Sequence, residues 1–119
     1  MLAQPILALV AHLLMEPSDK ELLQACSSGE EAAWEALVHR YQRLMYAIPR
    51  RAGLDEDHSA EVFQEVFTTL FQKLDDIKEP DRLHAWLVTT ARRKTWRIIS
   101  RERTLRQRDS GEEIGRAHV

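Results

Sequence analysis

Residues 60–74 read AEVFQEVFTTLFQKL, and their apolar side chains recur at spacings of three and four. That spacing puts them on one face of a helix. The apolar residues are Val62, Phe63, Val66, Phe67, Leu70, Phe71 and Leu74. The opposite side carries acceptors and small polar groups with no lysine among them: Glu61, Gln64, Glu65, Thr68 and Gln72. The segment predicts an amphipathic helix over about residues 58–74, with Asp57 as its N-cap.

Two helices are predicted before this segment. Ser18 and Glu21 form a capping box for a short first helix over residues 19–27. Ser28 and Glu31 repeat the pattern for a second helix over residues 30–51. Its apolar face runs through Trp34, Leu37, Val38, Tyr41, Leu44, Met45 and Ile48. Pro49 should kink the last turn of this helix, and Gly53 should end it.

A fourth helix is predicted after the polar loop DDIKEPD, residues 75–81. Asp81 is its candidate N-cap, and the helix should run from Arg82 to about Arg103. Its inward residues are Leu83, Trp86, Leu87, Ala91 and Ile98. After Arg108 the composition turns to Asp, Ser, Gly and Glu, which is typical of a linker or a frayed end. The predicted fold class is all-α, a compact bundle of three long helices and a short N-terminal one.

The composition is that of one ordinary globular domain of 119 residues, with 44% hydrophobic and 30% charged residues. The single cysteine, Cys26, cannot form an internal disulfide, which suits a reducing cytoplasm. The net charge of −2 hides an asymmetry. Residues 1–91 have 8 basic and 15 acidic side chains, whereas residues 92–108 have 8 basic and 1 acidic. The cluster of basic residues at 92–108 indicates a nucleic-acid partner, whereas the net charge of the whole chain gives no such indication.

The basic segment is the first candidate site. Arg93, Trp96, Arg97 and Ser100 share a helix face, since they lie three, four and seven residues apart. Arginines on one face bind phosphates, and an exposed tryptophan among them can stack on an unpaired base. The alternative is a solvated basic helix end with Trp96 folded into the core. The outer face of the third helix is the second candidate, suited to docking on a basic protein surface, although it also fits an ordinary solvated face.

Enzyme chemistry has no support in the sequence. There is no glycine-rich phosphate loop, no nucleophile elbow and no HExxH motif. The five histidines and one cysteine give no zinc spacing, and we expect neither a metal nor a cofactor. The carboxylates of Asp55, Glu56 and Asp57 cluster at a predicted helix start, where capping explains them better than catalysis.

Residues 1–17 are predicted to be an N-terminal extension. The first 15 residues, MLAQPILALVAHLLM, carry no charged side chain, so they lack the basic region of a secretory signal. They are also shorter than the roughly 20 apolar residues that span a membrane, so no membrane insertion is expected. Two interpretations remain open: residues 1–14 precede a natural start at Met15, or they form a helix that packs on the domain or on a partner.

Three segments together resemble region 2 of extracytoplasmic-function sigma factors. AEVFQEVF, residues 60–67, is similar to region 2.2. RLHAWLVTTARRKTWRIISRER, residues 82–103, is similar to regions 2.3 and 2.4, and SDKELLQACSSGEEAAWEALVHRYQRLMY, residues 18–46, to the start of region 2. The resemblance implies a region 2 domain over residues 18–105, with residues 106–119 beginning an interdomain linker. Region 4 does not appear, and we expect truncation.

The resemblance implies two binding surfaces and no catalysis. The region 2.2 helix would dock on the β′ clamp helices of core RNA polymerase through Glu61, Gln64, Glu65, Thr68 and Gln72. The loop and last helix would bind the minus-ten element of a promoter, chiefly its non-template single strand. The implied DNA-binding residues are Asp76, Lys78, Arg82, Arg92, Arg93, Lys94, Trp96, Arg97 and Arg101. An anti-sigma factor is a further implied partner.

Three positions depart from the family pattern. Glu61 stands where the family usually has Asp, Arg93 where it often has Asn, and Arg97 where it often has Asp or Asn. The last two changes add positive charge and favour backbone affinity over an inherited base preference. The runner-up function is a helical adaptor or anti-sigma-like module that uses the acidic face without touching DNA. A generic DNA-binding helical domain ranks third.

Overall fold

The computed structural model describes the backbone of residues 16–117 and the side chains of residues 16–109. Predictions for residues 1–15 lie outside this part. Within it the chain forms four α-helices and two short 3₁₀ turns and has no strand, which confirms the all-α prediction. The helices are α1 (Asp19–Ser27), α2 (Glu31–Arg51), α3 (Glu56–Gln72) and α4 (Leu83–Ala117), and the turns are Leu74–Asp76 and Pro80–Arg82.

One of the two serines predicted to cap a helix start does so. The Ser18 hydroxyl accepts a hydrogen bond of 3.1 Å from the Glu21 backbone N–H, so the predicted start of α1 is confirmed. The second box is wrong: Ser28 is the C-cap of α1, and its hydroxyl donates to the Gln24 carbonyl. Gly29, with φ +86°, turns the chain there. Ser28 therefore belongs to the preceding helix, and α2 begins after Glu30 without a side-chain cap.

The end of α2 follows the sequence prediction. Gly53 takes φ +96°, a conformation that a side chain would strain. The N–H groups of Gly53 and Leu54 donate to the carbonyls of Arg50 and Pro49 over 3.0 and 3.1 Å. These bonds satisfy carbonyls that the helix end leaves free. Pro49 is buried inside the last turn of α2.

The starts of α3 and α4 differ from prediction. Asp55, and not Asp57, caps α3, because its Oδ1 accepts from the His58 N–H over 2.8 Å. Asp81 lies inside a 3₁₀ turn, and α4 begins at Leu83. Helix α4 also continues past Arg103 to Ala117. Arginine, glutamine and glutamate favour helix, and no proline follows Pro80 to stop it.

The core lies where the helices face one another: α1 packs on α2, and α2, α3 and α4 pack pairwise. Its fully buried members come from α2, α3 and α4: Leu37, Met45, Val62, Val66, Leu70, Leu83, Leu87 and Ala91. The predicted apolar side of α1 (Leu22, Leu23 and Cys26) is buried as well. Burial and then the nearby Glu30 carboxylate raise the pKa of the Cys26 thiol.

Two aromatic residues predicted to face inward are less buried than the rest of the core. Phe71 is 65% exposed, and Trp86 is half-buried. The bundle buries α3 along Val62, Val66 and Leu70, and Phe71 lies beyond the edge of that contact.

No helix in residues 16–117 combines the length and the apolar composition that crossing a membrane requires.

Candidate functional site

The exposed face of α4 carries four of the predicted DNA-binding side chains. Arg92, Arg93, Trp96 and Arg97 are all exposed, and Trp96 keeps 61% of its surface open. The interpretation of Trp96 as a core residue is therefore wrong. The Arg103 guanidinium lies 5.9 Å from the centre of the indole ring, at cation–π distance. The face thus presents a flat aromatic surface among positive charges.

The other two predicted DNA-binding residues of α4 turn towards α3. Nη1 and Nη2 of Arg101 lie 3.2 and 3.3 Å from the two carboxylate oxygens of Glu61. The hydrogen bonds that Arg101 donates to Glu61, and then the negative charge of Glu61, raise the pKa of Arg101. The Lys94 side chain is only 16% exposed, and its Nζ lies 3.8 Å from Oε2 of Glu65. The structure therefore brings residues from the two predicted surfaces into direct contact.

The outer face of α3 combines the remaining predicted polymerase-binding residues with an apolar groove. Gln64, Thr68 and Gln72 are exposed in a row along the helix. Gln64 and Thr68 also line a groove of about 460 Å³ whose walls are mostly aromatic: Trp34, Val38, Phe63, Phe67 and Phe71. Trp34 meets Phe71 edge to face, with 5.6 Å between ring centres. Sequence reasoning missed Phe71 because helical periodicity placed it with the core residues.

The loop between α3 and α4 forms a separate cavity of about 490 Å³. Three predicted DNA-binding residues, Asp76, Lys78 and Arg82, line it together with Lys73, Ile77, Glu79 and Trp86. Nε of Arg82 is paired with Glu79 over 2.8 Å. Trp86 is the residue that sequence reasoning missed here, since its spacing within α4 matches that of the core residues. Its half-buried indole gives the cavity an aromatic wall.

The acidic cluster at residues 55–57 acts as a helix start. Asp55 caps α3 and also contacts the His58 ring, with 2.8 Å between Oδ1 and Nδ1. The hydrogen bond from the His58 backbone N–H is the main cause that lowers the pKa of Asp55. Nε2 of His58 lies 3.3 Å from Glu102, which ties the start of α3 to α4. The geometry is that of a cap, and no group of His, Cys, Asp and Glu within the described residues is arranged to hold a metal ion.

Residues 37–104 match the family model for sigma-70 region 2, which is more than half of the chain. The chain belongs to this family. The matched part of this region 2 domain runs from α2 through α3 and the loop into α4. Searches of curated proteins and of solved structures found no match.

Membership in the sigma-70 region 2 family establishes the general function. The chain is a sigma factor domain that takes part in RNA polymerase binding and promoter recognition. Sigma factors are transcription initiation factors, not enzymes, and they act with RNA polymerase in the cytoplasm. The exposed face of α4 and the outer face of α3 are thus candidates for the DNA and polymerase contacts, respectively.

Proposed function

We propose that this region 2 domain, of the extracytoplasmic-function type, docks on the β′ clamp helices through α3 and captures the unpaired minus-ten strand through α4 and the loop before it. The observation that carries the proposal is the exposure of Trp96 among exposed arginines on α4. The proposed domain spans residues 18–105, and residues 106–119 begin a linker, although α4 continues across that boundary.

Single-stranded DNA fits the two sites on the α4 side. An exposed indole stacks on any unpaired base, and paired bases do not offer that face. Arg92, Arg93 and Arg97 are exposed on the same helix and would bind phosphates beside it. The loop cavity at Asp76, Lys78 and Arg82 is large enough for a flipped base. Flipping costs a few kcal/mol of stacking and pairing, which such a pocket and the phosphate contacts would offset.

The α3 side suits a basic protein surface. Gln64, Thr68 and Gln72 offer hydrogen-bonding groups, and the carboxylates of Glu61 and Glu65 add negative charge beside them. Phe71, exposed at the edge of the aromatic groove, supplies an apolar anchor of the kind that dominates binding energy in interfaces. A mixed surface of this type is typical of a protein-docking face.

The contacts of Lys94 and Arg101 with Glu65 and Glu61 are compatible with both roles. Arg101 and Glu61 lie at the surface, and exposed ion pairs contribute little to stability, whereas the Lys94–Glu65 pair is more buried but spans 3.8 Å. A phosphate or a basic polymerase residue can therefore replace the internal partner at small cost. We propose that Lys94 and Arg101 reach the DNA backbone by such an exchange. The same surfaces are where an anti-sigma factor would compete.

The decisive experiment measures both partners with the same 119-residue chain. The chain should be retained by core RNA polymerase in a pull-down. It should also bind a labelled single-stranded minus-ten oligonucleotide more tightly than a duplex of scrambled sequence, with an affinity that falls steeply as salt rises. Retention by polymerase without any preference for the single strand would favour the adaptor function instead.

A further inference from the structure

A cleft between the end of α2 and the middle of α4 combines two of the proposed DNA-binding residues with α2 side chains that the proposal does not use. It is a cavity of about 390 Å³, within the usual size range of small-ligand sites. Its lining comes from both helices: Ile48, Arg51, Ala52, Arg92, Thr95, Trp96 and Ile99. Arg51 and Arg92 are 41 positions apart in the sequence, and helix packing brings them to the same cleft.

The chemistry of the cleft divides into an apolar part and two cationic side chains. Ile48 and Ile99 supply aliphatic surface, and the exposed Trp96 indole supplies a flat face beside it. Arg51 and Arg92 are exposed, and neither is paired with a carboxylate among the described residues. No acidic side chain of the described part lines the cleft. This combination suits a ligand with one flat apolar ring and an adjoining anion.

A second cavity continues the cleft along α4 and shares Ala52 and Ile99 with it. This cavity contains Arg103 and Arg106, but also Asp55 and Glu102, which both contact His58. The mixed charge makes the second cavity a poorer place for a phosphate. The acid-free cleft at Arg51 is therefore the better phosphate site of the two.

We infer that Arg51, Arg92 and Trp96 bind one unpaired nucleotide of the non-template strand, with its base against the indole and its phosphate between the two guanidinium groups. The inference rests on the proposed DNA-binding function and adds Arg51, from a different helix, to its residues. Arginine suits this role because its planar fork binds a phosphate through two hydrogen bonds. The flat ring and the apolar lining favour a nucleotide over an acidic peptide.

The test compares Arg51→Gln with the matched control Arg43→Gln. Both changes remove one positive charge from an exposed position of α2, but Arg43 does not line the cleft. Binding of a labelled single-stranded minus-ten oligonucleotide to the full chain is titrated at several salt concentrations. Arg51→Gln should weaken binding about tenfold, as expected for a charge-assisted hydrogen bond. It should also reduce the salt slope by about 0.7 for one lost phosphate contact, while Arg43→Gln changes neither quantity.

Two further variants test the geometry. Arg51→Lys keeps the positive charge but lacks the planar guanidinium that donates two hydrogen bonds to one phosphate. This variant should therefore retain the salt slope and still bind the oligonucleotide more weakly. Combining Arg51→Gln with Trp96→Ala should cost less than the sum of the two single losses, because both residues hold the same nucleotide. Strict additivity would contradict a shared site.

The outcomes separate this inference from the function on which it rests. If the chain binds the single strand and Arg51→Gln behaves like Arg43→Gln, the cleft is not a nucleotide site and the proposed function stands. If the unmodified chain shows no preference for the single strand, both ideas fail. If Arg51→Gln instead weakens binding of a polyglutamate peptide and leaves the oligonucleotide unaffected, the cleft is a protein site and the inference is wrong.

Discussion

At the scale of single residues, the environment of Trp96 is the most informative feature. Its sequence neighbours are compatible with a core position and with a DNA-facing one, and 61% exposure excludes the core position. A large exposed indole contributes little to folding and offers much to a flat ligand. The same side chain therefore has separable effects on stability and on binding.

Replacing Trp96 by Ala should leave the free energy of unfolding within about 0.5 kcal/mol, as for most surface substitutions. Affinity for the single strand should fall by on the order of 1–3 kcal/mol, and its salt slope should not change. A thermal melt and a DNA titration of the same variant measure both effects. Leu87→Ala is the core control, expected to lose about 2–5 kcal/mol of stability. A comparable loss for Trp96→Ala would contradict the exposed position.

The cap residue of α3 yields a pH-dependent prediction. Because folding lowers the pKa of Asp55, its contribution is present above the ordinary aspartate pKa of about 3.9 and is lost as pH falls through the lowered value. Asparagine caps a helix as well but does not titrate. The stability difference between the unmodified chain and Asp55→Asn should therefore diminish as the pH falls below that range.

Asp57→Asn is the control for this cap, because sequence reasoning chose Asp57 and the structure shows Asp55 accepting the His58 N–H. Chemical denaturation of both variants between neutral and acidic pH makes the comparison. A larger pH-dependent change for Asp57→Asn would mean that the helix starts where the sequence predicted.

At the scale of elements, the two sides of α3 differ in burial and polarity. Val62, Val66 and Leu70 bury the inner side, whereas Gln64, Thr68 and Gln72 leave the outer side polar. Glu61 and Glu65 lie between the two and contact α4. Reversing these glutamates would place lysines against Arg101 and Lys94, so the change would affect the α3–α4 contact along with any partner.

Gln64→Lys tests the polymerase face without that complication, since Gln64 is exposed and has no ion pair to lose. If the proposed docking on a basic surface is right, a lysine there should weaken binding to core RNA polymerase roughly tenfold, with an unchanged melt. The double reversal Glu61→Lys, Glu65→Lys should weaken binding further and also lower the melting temperature.

The control is Glu35→Lys, which puts a lysine at another exposed position, on α2. Affinity for core polymerase, measured in a competition assay with a labelled chain, should be unaffected by it. Equal losses for Gln64→Lys and Glu35→Lys would show that general charge, and not this face, controls docking.

At the scale of the whole molecule, the two proposed surfaces are neighbours and not independent patches. Arg101 pairs with Glu61, and Lys94 with Glu65. Two cations of the proposed DNA surface are therefore paired with two acids of the proposed polymerase surface. Hydrogen bonds also join α1 to α2. Asp19 of α1 accepts them from the Arg40 side chain and from the Tyr41 hydroxyl of α2. Burial, followed by the Asp19 hydrogen bond, raises the pKa of Tyr41.

Deleting residues 1–14 should leave the melting temperature within a few degrees of that of the full chain. The buried hydrophobic residues of the described part lie between Leu22 and Ile98, and the first cap begins at Ser18. Calorimetry or a circular-dichroism melt of the two chains makes the comparison. A large loss of stability would mean that the apolar N-terminal segment contributes to the core or to an interface.

Four helices, apart from the end of α4, and most of the core follow from the sequence alone. Apolar spacing of three and four reflects the geometry of the α-helix, which acts over a few neighbouring residues, so α1 was predicted with the observed bounds and α2 within one residue. The predicted caps of α2 and α3 are wrong. Ser28 and Asp57 had suitable side chains, but backbone conformation placed the helix starts beside Glu30 and Asp55.

Contacts between side chains of different helices, and the positions at the edge of the core, do not follow from local sequence. Periodicity gives the direction of Phe71 and Trp86 from their own helices, but their exposure depends on how far the neighbouring helices reach. The pair of Arg101 with Glu61, and the cleft shared by Arg51 and Trp96, join residues 40 and 45 positions apart. No local pattern encodes those contacts, because the packing of whole helices sets them.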